Sequence, residues 1–559
     1  MIRLLLCVML FIGFAVPSMS QTVLGHYLAG NSAIAKNDFK TADQRYQQAL
    51  ALDPNASEVL GNAILPALIN DDFPRALEYA QRLDALSLQS DIEDLVLIVD
   101  AIDQEDYVLA QEILDRAGDQ FLPILPGLLK AWVALGRGSV TEAVAHLDMM
   151  TEPLTAELFA QFHKAFILAA VGDFETADRL LTGDERGNLR LTDGAILAHI
   201  QIMSELGERD RALILHDSIR RNLPPEDWSE MRRRILSDNE SYGYITTAKE
   251  GVAKAFTSLA VILDEVQDPT LTLALAKIGQ YLRPNNANIL FIAETFVAQE
   301  QYPLALREYD KIGPAAPEFV DAEFGRSDTL VAAGQPEAAI EVMRALERQL
   351  PGDPRLAITT GDIYRGNNQC AEAVASYDRA IDAIERFRQT HWFVFHARAV
   401  CQFELDNWTE AEAGFRRALE LSPNRATVLN YLGYSLVERQ EKLDEAQDMI
   451  RRAAQLRPDS GAIADSLGWV YYRLGKYEDA VEPMEKAVAL LPTDPIVNDH
   501  LGDVYWKVER MREAEFQWQR ALSFGPDEGL AARIRAKLDR GLDAVLAEEA
   551  KSAQQTSAN

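Results

Sequence analysis

The sequence predicts an all-α solenoid of stacked helix-turn-helix repeats, closed by a capping helix near its C-terminal end. Three observations lead there. Leu467-Gly468, Tyr471, Ala480, Ala487 and Pro492 recur 34 residues later as Leu501-Gly502, Tyr505, Ala514, Ala521 and Pro526. A central small residue keeps the same beat along most of the chain, through Ala42, Ala76, Ala110, Ala143, Ala177 and Ala212 and then Thr272, Ala305, Ala339, Ala373, Ala411, Ala446, Ala480 and Ala514. The 559 residues also carry no long Gly/Ser/Pro-rich linker, so one extended architecture fits better than a string of unrelated domains.

The spacing has a physical cause. Small Gly468 and Ala480 let two antiparallel helices approach closely, while Tyr471, Met484 and Ala487 fill the space against the next pair. Pro492 cannot continue a helix and so fixes the turn into the following unit. Leu432-Gly433, Ala446, Ala453 and Pro458 follow the same order with one extra residue before Ala446. Pro54, Pro224, Pro284, Pro317, Pro351 and Pro423 fall at or near the terminating place elsewhere. Counting both runs gives fourteen units, the N-terminal ones degenerate.

One interval breaks the beat: Ala212 to Thr272 is 60 residues. The predicted organisation is therefore an N-terminal arm over 21–224, an inserted helix and linker over 225–251, a C-terminal arm over 252–526, a capping helix over 527–546 and a disordered tail over 547–559. The capping helix rests on the amphipathic stretch Leu530 to Leu546, which has no partner helix.

Met1 to Ser20 reads as a secretory signal cleaved before Gln21: Arg3, an apolar stretch from Leu4 to Val16, then Pro17-Ser18-Met19-Ser20. The stretch is shorter than the roughly 20 residues that span a bilayer, and large Leu6 before Cys7 does not resemble a lipoprotein cleavage site. The expectation is an exported, periplasmic chain with no integral membrane anchor. Lys plus Arg total 55 against 86 Asp plus Glu, a net charge of −31 that would repel nucleic-acid phosphates. Apart from Cys7, only Cys370 and Cys401 could cross-link, either as a disulfide or as two isolated thiols.

Signatures of catalysis are missing. No Gly-rich phosphate loop, HExxH helix or Cys/His cluster occurs, so no catalytic residue, cofactor or metal is expected. His391 and His396, five apart on a helix, would point about 140° from each other, and Ser466 lies on a repeat helix rather than on a nucleophile elbow. Arg220, Arg221, Arg232, Arg233 and Arg234 concentrate positive charge beside the insert, either as a docking patch or as a solvated face paired with nearby carboxylates.

Together these landmarks resemble the tetratricopeptide-repeat (TPR) family, which implies a right-handed superhelix whose first helices line a concave groove that binds proteins or peptides. The family's groove positions, carried onto the three best units, are Asn430 and Tyr434; Asp465, Trp469, Tyr472 and Arg473; and Asp499, Asp503, Trp506 and Lys507. Aromatic rings there offer contact area and the amide or carboxylates offer hydrogen bonds to an extended peptide. Trp469 and Trp506 are expected to pair as an aromatic platform; the competing reading has these rings packing between helices. N-terminal first helices carry aliphatic residues instead, such as Leu95, Ile98 and Leu168.

The runs Tyr431-Leu-Gly-Tyr-Ser, Asp465-Ser-Leu-Gly-Trp-Val-Tyr-Tyr and Asp499-His-Leu-Gly-Asp-Val-Tyr-Trp are more particular. Over about residues 425 to 526 they resemble the C-terminal repeats of large bacterial periplasmic TPR proteins, including an outer-membrane lipoprotein adaptor that delivers substrates to a carboxy-terminal processing protease. The resemblance implies a non-catalytic adaptor, although this chain lacks the lipidated cysteine. A structural assembly factor for envelope polysaccharide or secretion machinery is the second reading.

Overall fold

The computed structural model describes residues 22–88, 90–117, 124–183, 193–219, 225–237, 239–265 and 268–556. The signal segment, Arg220 and Arg221 lie outside them. Among the described residues there are 31 α-helices and no strand, and no helix is long and apolar enough to cross a membrane. The chain divides into two compact units, Met1–Gly334 and Gln335–Asn559.

In the first unit, helices pair as α1 (Val23–Ile34) with α2 (Phe39–Leu52), α3 (Ser57–Ile69) with α4 (Phe73–Ala85), and α5 (Asp91–Asp103) with α6 (Tyr107–Ala117). The pairing continues as α7 (Leu125–Gly136) with α8 (Val140–Asp148), α9 (Leu154–Ala170) with α10 (Phe174–Thr182), and α11 (Asp193–Glu205) with α12 (Arg209–Ile219). After the extra helix α13 (Pro225–Leu236) come α14 (Ala248–Glu265) with α15 (Pro269–Leu282), α16 (Asn286–Ala298) with α17 (Tyr302–Tyr309), and α18 (Phe319–Ala332).

The second unit opens with α19 (Pro336–Gln349), followed by α20 (Pro354–Gly366) with α21 (Cys370–Ala383) and a 3-10 turn, Gln389–His391. Then α22 (Trp392–Glu404) pairs with α23 (Trp408–Leu421), α24 (Ala426–Glu438) with α25 (Leu443–Leu456), α26 (Gly461–Arg473) with α27 (Tyr477–Leu490), and α28 (Pro495–Lys507) with α29 (Met511–Ser523). Helices α30 (Glu528–Arg540) and α31 (Leu542–Thr556) close it.

Local chemistry sets the hairpins. The turns pass through one residue in the left-handed region, among them Asn37, Asp71, Glu105 and Gly475, which ends one helix and frees the chain to reverse. Asp38, Asp72 and Asp173 then cap the next helix, each accepting a backbone N–H three residues on at 3.0–3.1 Å. All fourteen frame residues from Ala42 to Ala514, Thr272 included, are fully buried. Gly468 is needed for close approach, because a Cβ there would lie 2.4 Å from Met484 Cγ.

The first unit folds back on itself. Helix α14 packs on α7 and α9, and α15 on α3 and α5, so later helices cover the first helices of the early repeats. Leu95, Ile98, Leu128 and Trp132 are buried as a result. Gly251 of α14 meets the Trp132 ring so closely that a Cβ would lie 2.2 Å from Trp132 Cδ2. Tyr281 stacks on Phe73 with centroids 3.9 Å apart. Lys249 pairs with Asp103 at 2.6 Å, and Lys277 with Asp71 at 2.6 Å and Glu308 at 2.7 Å. Asn37 donates to Gln299 at 2.5 Å, closing the first hairpin onto the turn between α16 and α17.

Three expectations change. The inserted helix exists as α13, yet residues 252–334 belong with the N-terminal repeats because α14 and α15 bury their apolar faces there; the compact units divide at 334/335 rather than around 225–251. The cap is two helices, since Gly541 at φ +79° breaks the stretch Leu530 to Leu546. Helix α31 runs past 547 to Thr556, and the last three residues of the expected tail lie outside the described residues.

Candidate functional site

Four groove positions taken from sequence turn inward to the chain's own residues. Asp499 and Asp503, on α28, clamp Lys537 of α30: Nζ lies 2.7 Å from Asp499 Oδ2 and 2.6 Å from Asp503 Oδ1. Trp518 Nε1 donates to Asp503 Oδ1 at 3.0 Å. Burial holds the Asp503 carboxyl above its usual range, Asp499 adds to this, and the Lys537 ammonium pulls against it. Trp506 lies against Trp518, 5.5 Å between centroids, and donates Nε1–H to Asp543 at 3.0 Å; the neighbouring Lys507 pairs with the same carboxylate. The C-terminal helices thus occupy this end of the row.

One repeat back, Trp469 is only 8% exposed. Its ring stacks on His500 at 4.0 Å and on Tyr472 at 4.8 Å, and its Nε1–H donates to Glu438 at 2.7 Å. His500 Nδ1 is 3.0 Å from Asp465 Oδ1. Trp469 and Trp506 do stand on adjacent first helices, but each ring is braced within its own repeat neighbourhood instead of joining a shared platform. Tyr472, expected to face outward, is buried by Trp469 and Tyr477, whereas Tyr471 is half-buried. The inter-helix reading of these aromatics describes Trp469, Tyr472 and Trp506 best.

The open part of the row lies on α22 and α24. Asn430 and Tyr434, four apart and so on one face of α24, are both half-buried. Phe393 and His396, three apart, share a face of α22. Phe393 is 36% and Tyr431 39% exposed, and His396 lies against Tyr431 with ring centroids 5.4 Å apart. Arg425 stands over the Trp392 ring at 4.7 Å, adding positive charge beside the rings. Burial, with Arg365 contributing, pushes the His396 imidazole down to about 4, so it is neutral at physiological pH. Tyr434 is pushed up to about 12 by burial and the nearby Glu438 and Asp465 carboxylates.

His396, Asn430, Asp465 and Asp499 occupy equivalent places on four successive first helices, 34, 35 and 34 residues apart. The two aspartates are satisfied within the chain. His396 Nδ1 and Asn430 Oδ1 are buried with no hydrogen-bond partner among the described residues. An unmet polar atom of this kind is uncommon in a folded interior.

Phe393 and His396 were missed as groove residues in the sequence. The step from Ala373 to Ala411 is 38 residues, so the unit containing α22 looked irregular. Counting back from Ala411 in the 34-residue frame would have placed Phe393 second and His396 fifth. His391 is not on that helix at all: it sits in the 3-10 turn, where its Nδ1 accepts from the Arg388 backbone N–H at 3.0 Å. Ser466 donates to the Ala462 carbonyl at 3.0 Å, inside its helix. Arg232 and Arg234 pair with Asp217 at 3.6 Å and Glu240 at 2.8 Å, in keeping with a surface face matched to carboxylates. No group of three or more His, Cys, Asp or Glu among the described residues is placed to hold a metal.

Tetratricopeptide-repeat family models match residues 27–89, 292–354 and 424–493. These segments are tetratricopeptide repeats. The structure around them is accordingly a TPR solenoid, an architecture that typically binds proteins or peptides. Over 179 residues the chain is 29% identical to a TPR repeat-containing protein of Pseudomonas aeruginosa, which takes in 32% of this chain and 30% of that protein. Over 97 residues it is 30% identical to Protein O-mannosyl-transferase Tmtc1 of Drosophila melanogaster, 17% of this chain and 11% of that protein. The chain therefore spans under a third of either relative's length. Among solved structures, a chain of the APC/C hetero-tetramer Cut9-Hcn1 is similar at 16% identity and TM-score 0.36, covering 82% of this chain and 98% of that one. A tetratricopeptide repeat protein from Parabacteroides merdae is similar at 14% identity and TM-score 0.37, covering 45% and 97%.

Proposed function

We propose that this TPR chain is a non-catalytic interaction scaffold of the bacterial cell envelope, exported by residues 1–20, and that α22 and α24 hold its partner polypeptide. The supporting observation is the contrast along one polar row. Asp465 and Asp499 are met by His500 and Lys537, and Trp469 and Trp506 are braced by Glu438 and Asp543, whereas Phe393 and Tyr431 stand exposed beside His396 and Asn430. The two exposed rings would cover the segment's apolar side chains. In the first unit α14 and α15 pack over α3, α5, α7 and α9. The finer reading is an adaptor that presents a held segment to a carboxy-terminal processing protease, as the resemblance over residues 425–526 implies.

The test is capture from a periplasmic extract with the wild-type chain and with Phe393→Ala, Tyr431→Ala and Trp469→Ala. The first two should each weaken capture of a given partner by about 1–3 kcal/mol and leave thermal stability nearly unchanged, whereas Trp469→Ala should lower the melting temperature. Undiminished capture by both Phe393→Ala and Tyr431→Ala moves the site away from α22 and α24. Export is checked separately, by whether the mature chain begins at Gln21 and fractionates with periplasmic contents.

A further inference from the structure

Cys370 opens α21 and Cys401 lies within α22, the first helix of the next repeat. They are free thiols whose sulfurs stand 2.8 Å apart. A disulfide needs about 2.05 Å, so a movement of roughly 0.8 Å would close the bond. Cys401 is buried and Cys370 half-buried, so one sulfur is open to a reagent and the other waits directly behind it. The two residues are 31 apart in sequence, and the segment between them holds the body of α21, the connection through the 3-10 turn and the start of α22.

We propose that Cys370 and Cys401 are a paired oxidation site whose disulfide staples α21 to α22 and stiffens the junction between two successive repeats. The oxidant is a small-molecule or protein disulfide. With glutathione disulfide, the Cys370 sulfur, as thiolate, attacks one glutathione sulfur, and the S–S electron pair leaves on the other glutathione. Cys401, giving up its proton, attacks Cys370 Sγ in the mixed disulfide and expels the second glutathione. Both cysteine protons end on the two glutathione thiols; the cysteine pair is oxidised by two electrons and glutathione disulfide is reduced by two. Burial and the adjacent Cys370 push the Cys401 thiol well above its ordinary value, consistent with Cys370 as the sulfur that reacts first. The bond would close a loop of about thirty residues and restrict the unfolded chain accordingly. None of this depends on what α22 and α24 bind.

The experiment treats the purified full chain with glutathione disulfide or with dithiothreitol, then denatures it in N-ethylmaleimide and maps its peptides. Oxidised protein should yield a Cys370–Cys401 linked peptide with neither sulfur labelled. The melting transition of the unit Gln335–Asn559 should rise by about 5 °C, reversibly with dithiothreitol. Cys370→Ser should abolish both the link and the shift; Cys401→Ala, which adds no polar atom to a buried position, is the second control. Labelling of both cysteines after oxidation, a persistent glutathione adduct, a link to Cys7, or a linked pair with no thermal shift would overturn the proposal.

Discussion

Lys537 is fully buried, its ammonium held between Asp499 and Asp503, and Arg533 approaches the same two carboxylates from 3.5 and 3.7 Å. Replacing it with methionine keeps much of the volume but leaves two facing carboxylates in a dry site. The expected loss is about 3–5 kcal/mol, read by urea unfolding followed on tryptophan fluorescence, since Trp518 shares the Asp503 carboxylate; a loss below about 1 kcal/mol would place the pair in contact with water. His500 gives a pH signature. Burial alone would lower its pKa, but Asp465 at 3.0 Å, backed by Asp499 and Asp503, raises it above the ordinary value. A raised folded-state value means the fold favours the protonated ring. That contribution is therefore complete below about pH 6.5 and fades as pH climbs through the folded-state value. Between about pH 6 and pH 9 the wild-type melting temperature should fall more than that of His500→Gln; parallel profiles would show that the pair contributes nothing. The sequence placed Asp465, Asp499 and Asp503 on first helices as partner-binding residues but could not say what meets them within the chain, because His500 and Lys537 lie 34 to 38 residues away.

Helix α14 is fitted to α7 at Gly251, where any side chain collides with the Trp132 indole. Gly251→Ala should gain helix propensity yet destabilise the first unit by about 1–3 kcal/mol through overpacking. Gly61, in α3 with open space around its Cα, is the control: Gly61→Ala should be neutral or stabilising. Equal effects of the two changes in denaturant titrations would remove the special role of the α7–α14 contact. At this scale the sequence was readable wherever a small residue marked a helix crossing, and the frame of fourteen small residues located the hairpins even where other landmarks had decayed. It was unreadable where one helix covers another far along the chain. The aliphatic Leu95 and Ile98 were noticed, but an apolar first helix can be covered by a partner or by the chain itself, and only the fold distinguishes them.

The largest buried cluster of the first unit runs from Ala33 to Ala322, and that of the second from Ala399 to Leu542. A fragment spanning 335–559 should therefore be helical and melt cooperatively by itself, and the whole chain should show two transitions; an unfolded fragment by circular dichroism would mean the division is not energetic. The second unit follows the nearest-neighbour logic of a repeat array, in which each hairpin rests on the next. The first does not, because Lys277 reaches back 206 residues to Asp71 and Lys249 reaches 146 to Asp103. Such distant pairings delay folding, since a long loop must close before any contact repays it. During synthesis, α5 and α7 would emerge and wait with Leu95, Ile98 and Trp132 uncovered until α14 and α15 arrived. The back-folded half is thus the stretch of nascent chain with most need of a chaperone, and a ribosome stalled before residue 248 would display an aggregation-prone apolar face that the finished protein never shows.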